Sequence, residues 1–530
     1  MPNINLNSLR ENVFYYSLLL YVSFLPLSEA FVSIAAGILL AQAIVLTSWK
    51  HPLVKFKNKV SLFMVTSVFT VYLLGMTITE DVPFALYELK KVVFWVVLPL
   101  AFYISPTLIP KRFYNVLIVF GLAVFTATIV AIIRILFKEY FQINGFRDIT
   151  LISHIRFSFQ VLLSIIIATY FLISGSKIFS FKHSNILLLI FMIWMVGFLI
   201  VLKSITGIIA FIGTAVVLLF LFIIRIQNKR IMVAVIFFLV FIISAPVFYV
   251  AKVWKDFYNT EEVNTEEVDK FTASGNPYYF DFSSQEKENG NWVRLYLCER
   301  ELRNEWNKKS RMKYDSLDAK GYSYSSTLIR YLTSKGLRKD SIGINSLTKD
   351  DIRAIENGIA NYIYWDKGIS IYPRIYETIW EIDRYRTTGD PNYQSFSQRI
   401  EFVKASLLLI KKNPWFGIGT GNWKIKYAEI YDEMNSKLIR ENQGPSHNQY
   451  LNYMVKFGII GFIYIFSVLL IPVFRENHRY NLLFWLFIVA IGIVNFGDSN
   501  LETHMGLSFI CFFYCLFLWH TPEKIKTFRL

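Results

Sequence analysis

Residues 185–225 read NILLLIFMIWMVGFLIVLKSITGIIAFIGTAVVLLFLFIIR, two apolar runs on either side of the short turn Lys203, Ser204, Ile205, Thr206, Gly207. Each run approaches the ~20 apolar residues that an α-helix needs to cross a bilayer. The stretch therefore reads as a helical hairpin in lipid. Comparable runs lie near 13–27, 30–48, 60–78, 92–104, 114–137, 157–174 and 231–250, and again near 453–473, 480–497 and 505–519. The first, fourth and last are short and must borrow flanking residues. The expected fold is an all-α polytopic membrane protein of about twelve transmembrane helices. Residues 1–250 form a membrane bundle with spans one to nine, 251–449 an extramembrane domain, and 450–530 a bundle with spans ten to twelve. Although Ser28 to Ala30 faintly resembles a cleavage site, a second apolar run starts at once, so the first span reads as uncleaved.

Composition agrees. Over 530 residues the chain is 54% hydrophobic and 17% aromatic, too apolar for soluble α/β domains of that length. The formal charge of +16 does not argue for nucleic acid, because basic residues in such proteins collect in cytoplasmic loops and set orientation. Cys298, Cys511 and Cys515 show no metal-ligand spacing, so neither a zinc site nor a disulfide framework is expected.

The loop charges are one-sided. Lys50, Lys55, Lys57 and Lys59 follow span two, Lys111 and Arg112 span four, Lys177 and Lys182 span six, and Arg225, Lys229 and Arg230 span eight. Arg475 and Arg479 follow span ten, and Lys524, Lys526 and Arg529 span twelve. By the positive-inside rule these boundaries are cytoplasmic, both termini are inside, and the 251–449 insert is outside. Lys90, Lys91, Lys138, Arg147, Arg156 and Lys203 then sit on the outer side against the rule. Cations at such a depth are functional suspects, with snorkelling to headgroups as the ordinary alternative.

The insert is rich in tyrosine and tryptophan, unlike a disordered linker. Thr348 with Asp351 forms a capping-box pattern, followed by Ile352, Ile355, Ile359 and Ile363 at helical spacing, and a second helix is expected over 375–386. Ser397 is placed to cap a helix whose apolar face is Ile400, Val403, Leu407 and Ile410 and which Pro414 stops. Arg399 would lie in its first turn, where free amides and the helix dipole favour anions; the plainer reading is a surface arginine paired with Glu401. Gly417, Gly419 and Gly421 lack the Lys and Ser/Thr of a phosphate loop and read as a tight turn at the membrane surface, flanked by interfacial Trp415 and Trp423. His447, before span ten, supplies an imidazole, a side chain suited to taking or giving a proton, and Asn448 beside it can orient a ligand or its own backbone. Glu80, Asp81, Asp498, Glu502 and His504 also lie on outer loops and read more simply as solvated loop ends.

These residues resemble the O-antigen ligase family of bacterial membrane glycosyltransferases, which includes O-antigen polymerases and protein O-oligosaccharyltransferases. The resemblance is carried by Arg399 opening a helix, Pro414, Gly417 and Gly419 in a Pro-x-x-Gly-x-Gly turn, His447 and Asn448, Tyr450 and Leu451, then Gly458 and Gly461 entering the next span. It implies a GT-C type enzyme of the inner membrane, with the insert periplasmic, that takes a glycan from undecaprenyl pyrophosphate without cofactor or metal. The implied acceptor is lipid A core or, in relatives, a protein or a growing glycan. By carry-over, Arg399 binds the pyrophosphate and His447 acts at the acceptor hydroxyl or leaving group. The family's further arginine, in a Ser-Arg-Gly-like turn between spans seven and eight, is missing here, and Lys203 or Arg156 is the expected substitute. Asn448, Tyr450, Lys90 and Lys91 are further candidates. The partners are then the lipid-linked donor, the acceptor and membrane lipids, with no nucleic acid. A secondary transporter is the non-enzymatic alternative, but repeated halves and interrupted mid-membrane helices are not evident in the sequence.

Overall fold

The computed structural model describes residues 6–46, 59–137, 140, 148–174, 183–260, 268–284, 286–318, 321–365 and 371–526. Lys50, Lys55, Lys57, Lys138, Arg147, Lys177, Lys182 and Arg529, all used in the loop-charge reading, lie outside them. The apolar runs are helices, as they must be where no water is present to satisfy backbone groups. Among the described residues seven are long and apolar enough to cross a membrane: Lys59–Ile78, Pro110–Leu136, His154–Ile173, Ser184–Val201, Ile205–Ile223, Lys229–Tyr258 and Gln449–Arg475. Shorter apolar helices cover Glu29–Val45, Leu482–Gly497 and His504–His520, and the remaining apolar runs fall in Leu6–Phe24 and Phe94–Ile104. The chain is a multi-pass membrane protein.

One of the shorter helices, His504–His520, has a reason to be short. From Met505 to Leu518 every residue of the His504–His520 helix is buried, so it is apolar all round because protein surrounds it. Phe512 stacks on Tyr21 at 4.4 Å between ring centroids, and the Tyr21 hydroxyl donates to the Ser508 carbonyl.

Contacts divide the chain into two compact units, Met1–Ile243 with Thr388–Leu530, and Ser244–Thr387. The Arg399 and His447 segments therefore fall in the unit that contains the apolar bundle. Within Ser244–Thr387, short helices surround Trp306, Leu328, Leu332 and Ile355, beside a small antiparallel ribbon pairing Lys287 with Trp292. The Thr348 capping box is present, with reciprocal bonds to Asp351. Its helix, Lys349–Glu356, is shorter than the isoleucine spacing predicts. Gly358, at φ +74, ends it, so Ile359 lies beyond it and Ile363 belongs to the next helix, Tyr362–Trp365. The helix expected over 375–386 is longer, Tyr372–Thr388.

Two further expectations are corrected in the bundle unit. The helix carrying Arg399 spans Ser395–Lys412 with Gln394 at its N-cap. Ser397 is thus inside the helix, and Arg399 lies past the first turn, away from the free amides. The buried stripe is Phe402, Ala405 and Leu409, packed on Tyr427, Ile430, Tyr431 and Val455, whereas Val403 and Leu407 are exposed. An apolar pattern marks residues that avoid water and does not distinguish a protein core from other apolar surroundings.

Candidate functional site

The glycine turn is more than a surface turn. The Gln449–Arg475 helix is broken at Gly458, whose φ of 65° and ψ of −173° are outside helical geometry. A break leaves backbone groups unpaired, which hydrocarbon does not tolerate. Residues 414–419 supply the partners. Ile418 and Gly419 donate to the Val455 and Lys456 carbonyls at 2.9 Å each, while Ile459 and Ile460 donate to the carbonyls of Pro414 and Trp415 at 2.7 and 3.3 Å. The approach needs glycine: a Cβ at Gly417 would lie 2.5 Å from the Lys456 carbonyl oxygen, and one at Gly419 would lie 2.7 Å from the Gly75 carbonyl oxygen. Asn422 ties the turn down by donating to the Ile78 carbonyl at 2.9 Å and accepting from the Glu80 amide at 2.7 Å.

His447 is placed by the start of the same helix. Asn448 is its N-cap, its side-chain oxygen accepting from the amides of Tyr450 and Leu451 at 2.9 and 3.1 Å. That bond assigns Asn448 to its own backbone. Ser446, Gln449 and Asn452 then stitch this segment to the loop after Leu482–Gly497. The Ser446 hydroxyl donates to Asn452, the Asn452 amide to Ser499, and the Leu501 amide to Gln449. The result is a His447 imidazole with Nδ1 3.6 Å from an Asp498 carboxylate oxygen. The imidazole is half exposed, the carboxylate 11% exposed.

Asp498 also faces Arg156, whose guanidinium lies 3.9 Å from its other oxygen and donates to the Thr503 hydroxyl at 3.0 Å. Arg399 donates to the carbonyl of Gly497, one residue earlier, at 3.2 Å. A helix C-terminus carries partial negative charge, which suits a guanidinium there. The Lys203 turn reaches the same helix end through Thr206, since a Cβ at Gly497 would lie 2.8 Å from the Thr206 side chain. Lys203 itself has a positive φ of 50°, and Ser204 beside it bonds Ser158 of the Arg156 helix at 3.0 Å. Arg399, His447 and Arg156, remote in sequence, thus meet at residues 497–498, with the Lys203 turn packed alongside.

Other candidates are elsewhere. The Tyr450 hydroxyl donates to the Gly492 carbonyl at 2.6 Å, and its ring stacks on Phe466, so it clamps two helices together. Lys91 pairs with Glu88, and Lys90 is exposed on the same helix. Asp81 caps that helix through the Phe84 amide, and Glu80 pairs with Lys426. His504 bonds Ser33 at 2.7 Å.

Burial disfavours the charged form of Asp498, but the His447 imidazole and the Arg156 charge outweigh it and hold the carboxyl below its ordinary range. Asp498 thus faces Nδ1 of His447, and Nε2 lies on the other side of the ring. Asp498 had the plain sequence reading of a solvated loop end, and only its tertiary neighbours distinguish it. Lys456 was missed. It pairs with Glu88 at 2.8 Å and Glu502 at 3.1 Å, nearly sealed from solvent. The available signal was a lysine inside the apolar run 453–473, where a cation must be neutralised.

The O-antigen ligase family model matches residues 358–466. That segment contains Arg399, the glycine turn, His447 and the helix break at Gly458, while Arg156, Lys203 and Asp498 lie outside it. An uncharacterized protein of Haemophilus influenzae is 33% identical over 88 residues, which is 15% of this chain and 20% of that protein. The alignment thus spans about a fifth of that relative. The motif read from sequence lies within the matched segment, and over that segment this chain is similar to the O-antigen ligase family.

Proposed function

We propose that this protein transfers a glycan from an undecaprenyl-pyrophosphate carrier to an acceptor hydroxyl at the periplasmic face of the bacterial inner membrane, with lipid A core as the acceptor. The observation that carries this reading is the meeting of two arginines and a carboxylate-backed imidazole at residues 497–498, in a family of membrane glycosyltransferases. In the proposed step, His447 Nε2 takes the proton of the acceptor hydroxyl. The hydroxyl oxygen bonds to the anomeric carbon from the face opposite the carrier. The bond from that carbon to the phosphate oxygen breaks, its electron pair leaving on the pyrophosphate, and the anomeric configuration inverts. Arg399 and Arg156 offset the charge that develops on the pyrophosphate, which bidentate guanidinium groups suit well. Lys203 is the further cation available on the adjoining turn, and Asp498 positions the imidazole.

A deletion strain is expected to retain lipid-linked glycan and to make lipopolysaccharide without O-antigen, both restored by the wild-type gene. Loss of protein glycans alone would replace lipid A core by a protein acceptor. His447→Ala and Arg399→Ala, at normal expression, are expected to abolish transfer. If both leave it intact, the site is elsewhere.

A further inference from the structure

The Ser244–Thr387 unit contains a cavity of about 770 Å3, within the range that holds small organic ligands. Its walls include the rings of Tyr362, Trp365 and Tyr372 and the carboxylates of Asp256, Asp350 and Asp351. This combination has a definite chemistry. Electron-rich ring faces cover the C–H faces of a pyranose, while ionised carboxylates accept hydroxyl protons and donate none. We propose that this cavity is a carbohydrate subsite for a neutral or amine-bearing part of the glycan being transferred. The identity of that glycan rests on the glycosyl-transfer reading; the class of ligand rests on the cavity.

Three further observations support it. Asp351 is held rigidly, accepting from the Tyr331 hydroxyl at 2.7 Å and pairing with Lys335 at 2.8 Å. Burial opposes its charge, but Lys335, Tyr331 and Thr348 outweigh that and pull its pKa to about 2, so it is an anion at neutral pH. Lys335 and Arg353 offset Asp351 and Asp350 at 2.8 and 3.6 Å, and Lys252 stands in the lining with Asp256; each cation around the cavity thus has a carboxylate to set against it, which favours a neutral glycan over a phosphate-bearing one. Finally, Asp256 stands near the end of Lys229–Tyr258, a helix of 30 residues. Lys252, Lys255 and Asp256 follow the apolar stretch of that helix, and such charges mark the end that meets water, where a sugar can reach it.

The test is calorimetric titration of the full-length chain in detergent with glycan released by mild acid from the strain's lipid-linked intermediates, beside phosphorylated core oligosaccharide. The released glycan is expected to bind, and the phosphorylated core at least about tenfold more weakly. Tyr362 is 43% exposed, so Tyr362→Ala leaves the unit folded and is expected to weaken binding about tenfold, while Tyr362→Phe, which keeps the ring face, restores it. No binding to the wild-type chain, wild-type binding by Tyr362→Ala, or equal binding of the phosphorylated core overturns the proposal. The two readings fail separately. Binding that is lost in Tyr362→Ala but accompanied by no transfer in any preparation sinks the transferase and leaves the subsite standing. Normal transfer with wild-type binding by Tyr362→Ala removes the subsite alone.

Discussion

Replacing Lys456 by methionine tests whether the broken helix is held in place by charge. The Lys456 ammonium is 5% exposed and lies between Glu88 and Glu502, at 3% and 11%. Removing one partner of such a group costs ~3–5 kcal/mol, because the remaining charge stays buried without compensation. Here the lower end applies. Glu88 keeps Lys91 as a partner, so only Glu502 is left without its cation. A destabilisation of ~3 kcal/mol, roughly a hundredfold in the folding equilibrium, is therefore expected. Replacing Glu502 by glutamine in the same chain removes the stranded charge and should recover most of it. The buried thiols Cys511 and Cys515 provide the readout: a thiol-reactive dye follows thermal opening of the bundle in detergent for the wild type, Lys456→Met and Lys456→Met/Glu502→Gln. A single variant that melts with the wild type, or a double variant no more stable than the single, refutes the reasoning.

Asp498→Asn tests the pair behind His447. The folded-state pKa of Asp498 is depressed, so the stability it contributes is fully present above the unfolded value near ~4 and is lost as pH falls through the lower folded value. The variant should be less stable than the wild type at pH 7, and the gap should close in acid; a gap that widens in acid would contradict the assignment. Gly458→Ala tests the break itself. A backbone at φ 65° and ψ −173° is essentially reserved for glycine and costs ~1–3 kcal/mol for other residues, and a Cβ would collide with the Trp415 carbonyl. Sharply reduced folded protein is expected in membrane extracts, and wild-type yield and melting would show that the break is not required.

Much of this protein is determined by sequence alone, because burial in lipid demands long apolar runs and each run must close its own backbone bonds as helix. The helical class, the Thr348 capping box and the grouping of Arg399, the glycine turn and His447 in one family segment all follow from local pattern. Which face of Ser395–Lys412 is buried does not, since Val403 and Leu407 are as apolar as Phe402 and Leu409. The glycines announced a turn, but only the fold shows that it enters a broken helix 37 positions away, Ile418 and Gly419 donating to the carbonyls of Val455 and Lys456. Asp498 and Lys456 acquire their meaning from partners hundreds of residues distant in sequence, Arg156 and Glu88. Charges interact through distance in space, which spacing along the chain does not encode; tertiary structure alone brings scattered cations, a histidine and an ordinary loop aspartate together at residues 497–498.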